Sequence, residues 1–257
     1  MEEKDIRILF ENDDVIVVDK DRGTAVHGGR NIDWESTLLT QVRRYLTARD
    51  GTEPAFLCPA HRIDLNTRGP VIFAKSGKMA KTLVETFMAG GVSKIYHALL
   101  EGDIDRPVFV QVDILKKGRK KSRVQNKIIM DTGYPSREEW LADRDRSSLT
   151  LSATLILPLV RHGSTTHCAV EIWTGRHHQI RAVCEAMGHP VCGDTKYNHD
   201  ARAGWKRRTN PLYPDRQMLV CRRITVPSLG IDAVSGFEIE AINGNVGSES
   251  SYIKQLL

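Results

Sequence analysis

The residues His61-Arg62-Ile63-Asp64-Leu65-Asn66-Thr67-Arg68-Gly69-Pro70, running on into Val71-Ile72-Phe73-Ala74, decide how this chain is read. Val71 to Ala74 is a short apolar run of strand type, and Gly69-Pro70 in front of it reads as a turn. Asp64 is thereby placed on a loop that feeds a buried strand. His61, Arg62 and Arg68 surround that carboxylate with cationic or titratable groups. Loop aspartates commonly bond the amides of their own turn, which is one account of Asp64. The other is a carboxylate kept ionised by a cation from elsewhere, and the rest of the chain has to choose between them.

With 257 residues, 40% hydrophobic and 27% charged, the chain is long enough for one large domain or two small ones around a substantial core. No apolar run reaches the length of a membrane span. Met1-Glu2-Glu3-Lys4-Asp5 lacks the basic start and apolar stretch of a secretion signal, so no membrane and a cytoplasmic location are expected. Cys58, Cys168, Cys184, Cys192 and Cys221 are odd in number and contain no CxxC pair, which argues against a disulfide framework. His177, His178, Cys184, His189 and Cys192 lie close in sequence, but their spacing fits no common zinc pattern, and no metal is expected.

The net charge of +5 points towards a polyanionic partner, and its distribution says more than its sum. Ile114 to Lys127, ILKKGRKKSRVQNK, carries seven Lys or Arg and no acid. Arg202, Lys206, Arg207 and Arg208 surround Trp205, a combination suited to phosphates with an unstacked base. Either run alone reads as well as a solvated loop; two together favour nucleic acid.

Ile8 to Lys20 holds two apolar runs around a polar turn, a hairpin pattern. Ser36 is the expected N-cap of a helix whose apolar face is Leu38, Leu39, Val42, Tyr45 and Leu46, stopping near Asp50-Gly51. Ser76 caps a second helix that stops at Gly90-Gly91. Lys94 to Gly102 is strand-like, with Tyr96 on the face opposite Ile95 and Leu99 and so offered to a cleft. Residues 137 to 148 are polar and fit either a frayed strand or a surface insertion. Strands follow over Leu149 to Val160, Thr165 to Thr174 and Gln217 to Val226, with a last one around Phe237 to Glu240. Between them, Ile180, Val183, Cys184 and Met187 share a helix face that ends at Gly188. Arg176, His178, Gln179 and Arg181 crowd the start of that helix, a natural anion site. A ligand phosphate or the carboxylate of Asp64 would relieve the repulsion among those cations.

HRIDLNTRG at 61 to 69, KIYHALLEG at 94 to 102, TGRHHQIR at 174 to 181 and GHPVCGDTKYN at 188 to 198 together resemble the RluA-type family of pseudouridine synthases, in order and in spacing. The family pattern is roughly HRLDxxTSG, KxYxA, TGRxHQIRxH and GxPIxGDxxYG, and DDVIVVDKDRG at 13 to 23 resembles its DxxxVVNKPxG opening. The likeness covers most of residues 8 to 240, leaving 241 to 257 as a flexible tail. It implies an α/β (α+β) catalytic domain on a mixed, mainly antiparallel sheet with flanking helices and a central cleft. It also implies an isomerase that converts a uridine of structured ribosomal or transfer RNA to pseudouridine, with no cofactor and no metal, acting as a monomer.

By the family's motifs, Asp64 is the nucleophile, on either the sugar C1′ or the base C6. Tyr96 stacks on the target base, Arg181 salt-bridges the aspartate, and Arg62 fills the space left by the flipped nucleotide. His61, Thr67, Arg68, Arg176, His178 and Gln179 are expected to line the RNA site. The chain begins almost at this domain, so the separate S4 RNA-binding domain of many relatives is expected to be absent. RNA docking then falls to its own basic residues, Lys116, Lys117, Lys120 and Lys121. The physics agrees with these roles: a guanidinium lowers and orients a carboxylate, and flipping a base out of structured RNA needs an aromatic receiver and a plug for the gap. Three positions depart from the pattern: Arg68 stands where Ser is usual, Asp21 where Pro is common, and Ala182-Val183 replaces the histidine of HQIRxH. Two other functions fit parts of the chain. One is a catalytically silent RNA-binding or RNA-folding protein on the same fold; the other is an N-glycosidic hydrolase using Asp64 with His61 or His178.

Overall fold

The computed structural model describes residues 6–29, 32–115, 122–145, 147–200, 206–207, 216–237 and 239. Lys116, Lys117, Lys120 and Lys121, most of the basic group around Trp205, and the tail at 241–257 lie outside them. The chain divides into two compact units, Met1–Ser93 with Val220–Glu238, and Lys94–Leu219 with Ile239–Leu257. The architecture is α+β, its sheets built from antiparallel pairs within each unit. Among the described residues no helix is long and apolar enough to cross a membrane.

In the first unit β1 (Ile8–Glu11), β2 (Val15–Lys20), β3 (Cys58–Pro59) and β4 (Gly69–Ala74) form an antiparallel sheet in the order β1-β2-β4-β3. β2 and β4 are buried along their whole length and pair from Val15↔Ala74 to Lys20↔Gly69. A strand sends alternate side chains to opposite faces, so an unbroken apolar run requires cover on both. Helix α1 (Leu38–Asp50) supplies one cover: Leu38, Val42 and Leu46 pack with Ile16, Val18, Val71 and Phe73. Helix α2 (Gly77–Ala89) supplies the other, Leu83 packing with Val15, Val17, Ile72 and Ala74. Ser76 caps α2 as expected, its oxygen accepting the Met79 N–H, and Gly90 ends the helix at φ 83°. The cap of α1, however, is Thr37 and not Ser36. Thr37 accepts the Thr40 N–H while Ser36 closes a 3-10 turn begun at Asp33. Two adjacent hydroxyls compete for one helix end, and the earlier turn takes the first of them.

The second unit contains β5 (Ser93–Glu101), β6 (Val108–Leu115), β7 (Arg123–Met130), α3 (Arg137–Asp143), β8 (Leu151–His162), β9 (Thr165–Ile172) and α4 (Gln179–Ala186), then a short pair, β10 (His199–Asp200) with β11 (Lys206–Arg207). Its strands run in the order β5-β9-β8-β6-β7. The polar stretch expected as frayed strand or insertion is the helix α3. Ser136 and Glu139 form a capping box, and buried Trp140 donates its indole N–H to Gln111 at 2.6 Å. Trp140 then joins Ile95, Phe109, Leu155 and Trp173 in the core of this unit.

The chain returns to the first unit as a hairpin, β12 (Leu219–Val226) and β13 (Ile231–Val234), whose Ile224, Val226, Ile231 and Ala233 complete the Leu83 side of the core. The strand expected around Phe237 to Glu240 lies partly outside the described residues; Phe237 itself is outside any strand, and β13 is a strand the sequence did not suggest. After β13 the Asp19 carboxylate accepts the Ser235 hydroxyl at 2.8 Å and the Gly236 N–H at 2.9 Å.

One buried titratable group in the second unit gives a pH prediction. His97 on β5 and His167 on β9 meet edge to face, ring centroids 4.9 Å apart. Burial, then the charges of His97 and His162, hold the His167 pKa down at about 3. A depressed folded-state pKa means stability that is complete above the unfolded value near 6.5 and is lost as pH falls towards 3, by about 5 kcal/mol at the limit. His167→Leu should therefore melt at a temperature less sensitive to pH between 6.5 and 4 than the parent chain. Parallel melting curves across that range would contradict this assignment.

Candidate active site

The loop before β4 is bolted down through its backbone. Lys20, at the end of β2, is fully buried, and its ammonium donates to the carbonyls of Asp21, Thr24 and Leu65 at 2.9, 3.0 and 3.0 Å. A buried charge is tolerated only when its donors are used, and three carbonyls use all of this one's. Burial lowers the Lys20 pKa to about 7, while the charges of Asp21 and Asp64 act in the opposite sense. The Leu65 carbonyl takes a second bond from the Gly23 N–H at 2.9 Å. Within the loop, the Thr67 N–H donates to the Asp64 carbonyl at 3.1 Å, closing a turn between buried Ile63 and buried Thr67. Asp64 itself is half-buried and Arg62 is exposed.

Both ends of the loop are fixed as well. His61 Nε2 accepts the Ile72 N–H at 3.2 Å, and its ring lies 5.3 Å from that of Phe87. At the other end the Cys221 N–H donates to the Arg68 carbonyl at 2.8 Å. Gly69 has φ 128°, and a Cβ there would come within 2.3 Å of the Cys221 carbonyl oxygen, so only glycine permits this approach of β12. Arg68 Nε donates to Asp21 Oδ1 at 2.9 Å, and its guanidinium carbon lies 4.5 Å from the Phe237 ring centroid.

In the second unit Tyr96 lies on β5, buried, opposite Val170 of β9. Arg181, on α4, donates from Nε and Nη2 to the two carboxylate oxygens of Asp194 at 2.6 and 2.9 Å. This is a bidentate pair with almost no solvent access. Asp194 Oδ1 also accepts the N–H groups of Lys196 and Tyr197, and the Arg181 guanidinium lies 4.9 Å from the Tyr197 ring centroid. Burial pushes the Tyr197 hydroxyl up to about 12, so it stays protonated at neutral pH. It accepts the Ser122 N–H at 2.7 Å and shares a bond of 2.9 Å with His178 Nδ1. His178 sits at the N-cap of α4 with φ 56°, a left-handed conformation unusual outside glycine. Its ring stacks on His177 at 3.7 Å, and His177 Nδ1 lies 3.0 Å from the Ser122 hydroxyl.

Two residues expected at the RNA are used within this unit. The Gln179 amide is saturated: its oxygen accepts from Thr174 and Arg176, and its nitrogen donates to Ala153 and Thr154. Arg176 donates from Nε and Nη2 to the carbonyls of Leu151 and Ser148. The structure thus places His61, Asp64, Thr67 and Arg68 on one clamped loop of the first unit. Tyr96, Arg176, His178, Gln179 and Arg181 belong to the second. Lys20, Asp194 and Tyr197 were not picked out as site residues from sequence, although GDTKYN already carried the last two. Among the described residues no group of three His, Cys, Asp or Glu side chains could hold a metal ion.

Comparison with known proteins follows the same residues. A family model described as RNA pseudouridylate synthase matches residues 14–186. Ribosomal large subunit pseudouridine synthase D of Nitrosomonas europaea is 30% identical over 192 residues, 75% of this chain and 49% of that protein. Ribosomal large subunit pseudouridine synthase C of Escherichia coli K12 is 30% identical over 195 residues, 74% of this chain and 52% of that one. The chain thus spans about half the length of the curated relatives it matches. Among solved structures, human RNA pseudouridylate synthase domain containing 1 is similar in fold, with a TM-score of 0.66 at 20% identity, covering 92% of this chain and 85% of that one. Human RNA pseudouridylate synthase domain containing 4 gives 0.66 at 20%, covering 90% and 88%. A family match across 14–186 takes in the Asp64 loop, Tyr96 and Arg181, and on that match the chain belongs to the RNA pseudouridylate synthase family.

Proposed function

We propose that this chain isomerises a specific uridine in structured RNA, ribosomal or transfer, to pseudouridine. The observation that carries the reading is the family match over 14–186, which contains an intact Asp64, Tyr96 and Arg181. In this reading Asp64 attacks the flipped-out nucleotide, Tyr96 receives the base, and Arg181 keeps the carboxylate ionised. The N1–C1′ bond breaks and the base turns; a C5–C1′ bond forms as the bond to Asp64 is released, the C5 proton leaves and N1 takes up a proton, so the product is an isomer of the substrate. Lys20 and the backbone clamps supply the rigidity such an attack requires, since positioning errors near 1 Å can lower rates about a hundredfold. The enzyme works in the cytoplasm as a monomer.

A silent RNA-binding role drew its motive from a cation beside Asp64, and Arg68 is engaged with Asp21 and Phe237. Incubating the chain with total ribosomal and transfer RNA from a strain lacking it, then mapping pseudouridine chemically, separates the readings. New sites support isomerisation, unchanged RNA that nevertheless binds supports the silent protein, and abasic sites support a hydrolase. The basic stretch gives a further expectation. Lys120→Glu with Lys121→Glu should weaken RNA binding and reduce the slope of log affinity against log salt by roughly one to two. An unchanged slope would remove those lysines from the interface.

A further inference from the structure

Asp21 and Arg68 are two of the positions at which the chain departs from the motifs it resembles, and they touch each other across 47 residues of sequence. The carboxylate end is engaged twice: Asp21 Oδ1 accepts both Arg68 Nε at 2.9 Å and the Arg22 N–H at 2.7 Å. The guanidinium end is backed by the ring of Phe237, whose own N–H donates to the Ser235 hydroxyl that Asp19 holds. The Arg68 side chain is 17% exposed and its backbone is bonded to Cys221, so the residue is tied at both ends. It therefore joins the turn after β2, the loop carrying Asp64 and the segment after β13. Lys20 and Gly23 also tie the first two of these together, both reaching Leu65, next to Asp64, while the Asp21–Arg68 pair holds the far end of the same turn.

We propose that Asp21 and Arg68 form one positioning device for Asp64, replacing a contact that the proline and serine of the motif cannot make. The proposal rests on the isomerase reading above. It assigns Arg68 to holding the loop that carries Asp64 instead of to an RNA phosphate. Moving the guanidinium to a phosphate would break its bond to Asp21 and its packing on Phe237 together. Arginine is needed because the planar group meets a carboxylate edge-on and an aromatic ring face-on, which an ammonium does not do.

The test uses the full chain with Asp21→Ala, Arg68→Ala, the double variant and Arg68→Lys, all checked for parental melting. Pseudouridine formation is followed in single turnover over a range of RNA and salt concentrations. Each single change should lower the maximal rate about tenfold or more while the half-saturating RNA concentration and salt slope stay within about twofold. The double variant should be no slower than the slower single, because the two act as a unit, and Arg68→Lys should not rescue. Multiplying losses, a parental rate in Arg68→Ala, or a raised half-saturating concentration with a flatter salt slope would each overturn the proposal.

If the parent chain makes no pseudouridine, the isomerase reading fails, and the device is then read by amide exchange over residues 64–68. Equal acceleration in both singles and the double supports the clamp, and unchanged exchange sinks it.

Discussion

Asp64→Ala should abolish pseudouridine formation, a loss of at least about a thousandfold, in a chain that still folds and still binds RNA. The loop is held through the Leu65 carbonyl, the Arg68 backbone and side chain, and the glycine contact at Gly69. Truncating the half-buried Asp64 leaves all of these in place. Asp64→Asn should be as inactive, since an amide keeps the shape but has no charge with which to attack. Nucleoside analysis of treated RNA gives the activity, and melting and RNA binding give the controls. Loss of folding along with activity would show that the carboxylate is structural, the first of the two accounts open from sequence.

Asp194→Ala should cost about 3–5 kcal/mol of stability. The pair with Arg181 is bidentate and nearly solvent-free, so removing the carboxylate takes two charge-assisted bonds from a buried guanidinium. It also leaves the N–H groups of Lys196 and Tyr197 without the acceptor they share. α4 loses its link to the 194–197 turn and, through Tyr197, to Ser122 and His178. For a chain of this size the melting midpoint should fall by roughly 10 °C. Chemical denaturation checks the free energy, and a loss below about 1 kcal/mol would mean that Arg181 finds another partner without strain.

How much of this could be read in advance depended on whether the deciding contact was local. Ser76 and Gly90 bound α2 from within its own turns, and the alternation around Tyr96 placed it on the face opposite Ile95. The buried strand after the Asp64 loop was legible in the apolar run Val71 to Ala74, but Gly69 and Pro70, expected as a turn, are the first two residues of β4, and the turn lies earlier, at Asp64 to Thr67. α3 was missed because only Trp140 is buried along it; the capping box from Ser136 to Glu139 was the signal available. β13 was missed because its run, Ile231 to Val234, is only four residues long, and it forms as the second arm of a tight hairpin with β12.

The same limit applies to the site. The crowd of cations at the start of α4 called for something negative, and sequence offered a phosphate or Asp64. A third answer, Asp194, lay thirteen residues beyond Arg181 in a motif already quoted. Lys20 looked like the end of a hairpin strand, and its burial shows only once carbonyls from two turns converge on it. Asp21 and Arg68 read as two separate departures, and their pairing needs the fold of the first unit to be seen.

If this chain is an isomerase, it moves a uracil base from N1 to C5 attachment without releasing it. RNA carrying labelled uridine, incubated with the chain and digested to nucleosides, tests that by mass balance. The uridine lost should equal the pseudouridine gained, with no free uracil and no change in the Asp64→Ala reaction. Free uracil accumulating in place of pseudouridine, or uridine left untouched by a folded, RNA-bound chain, would contradict it.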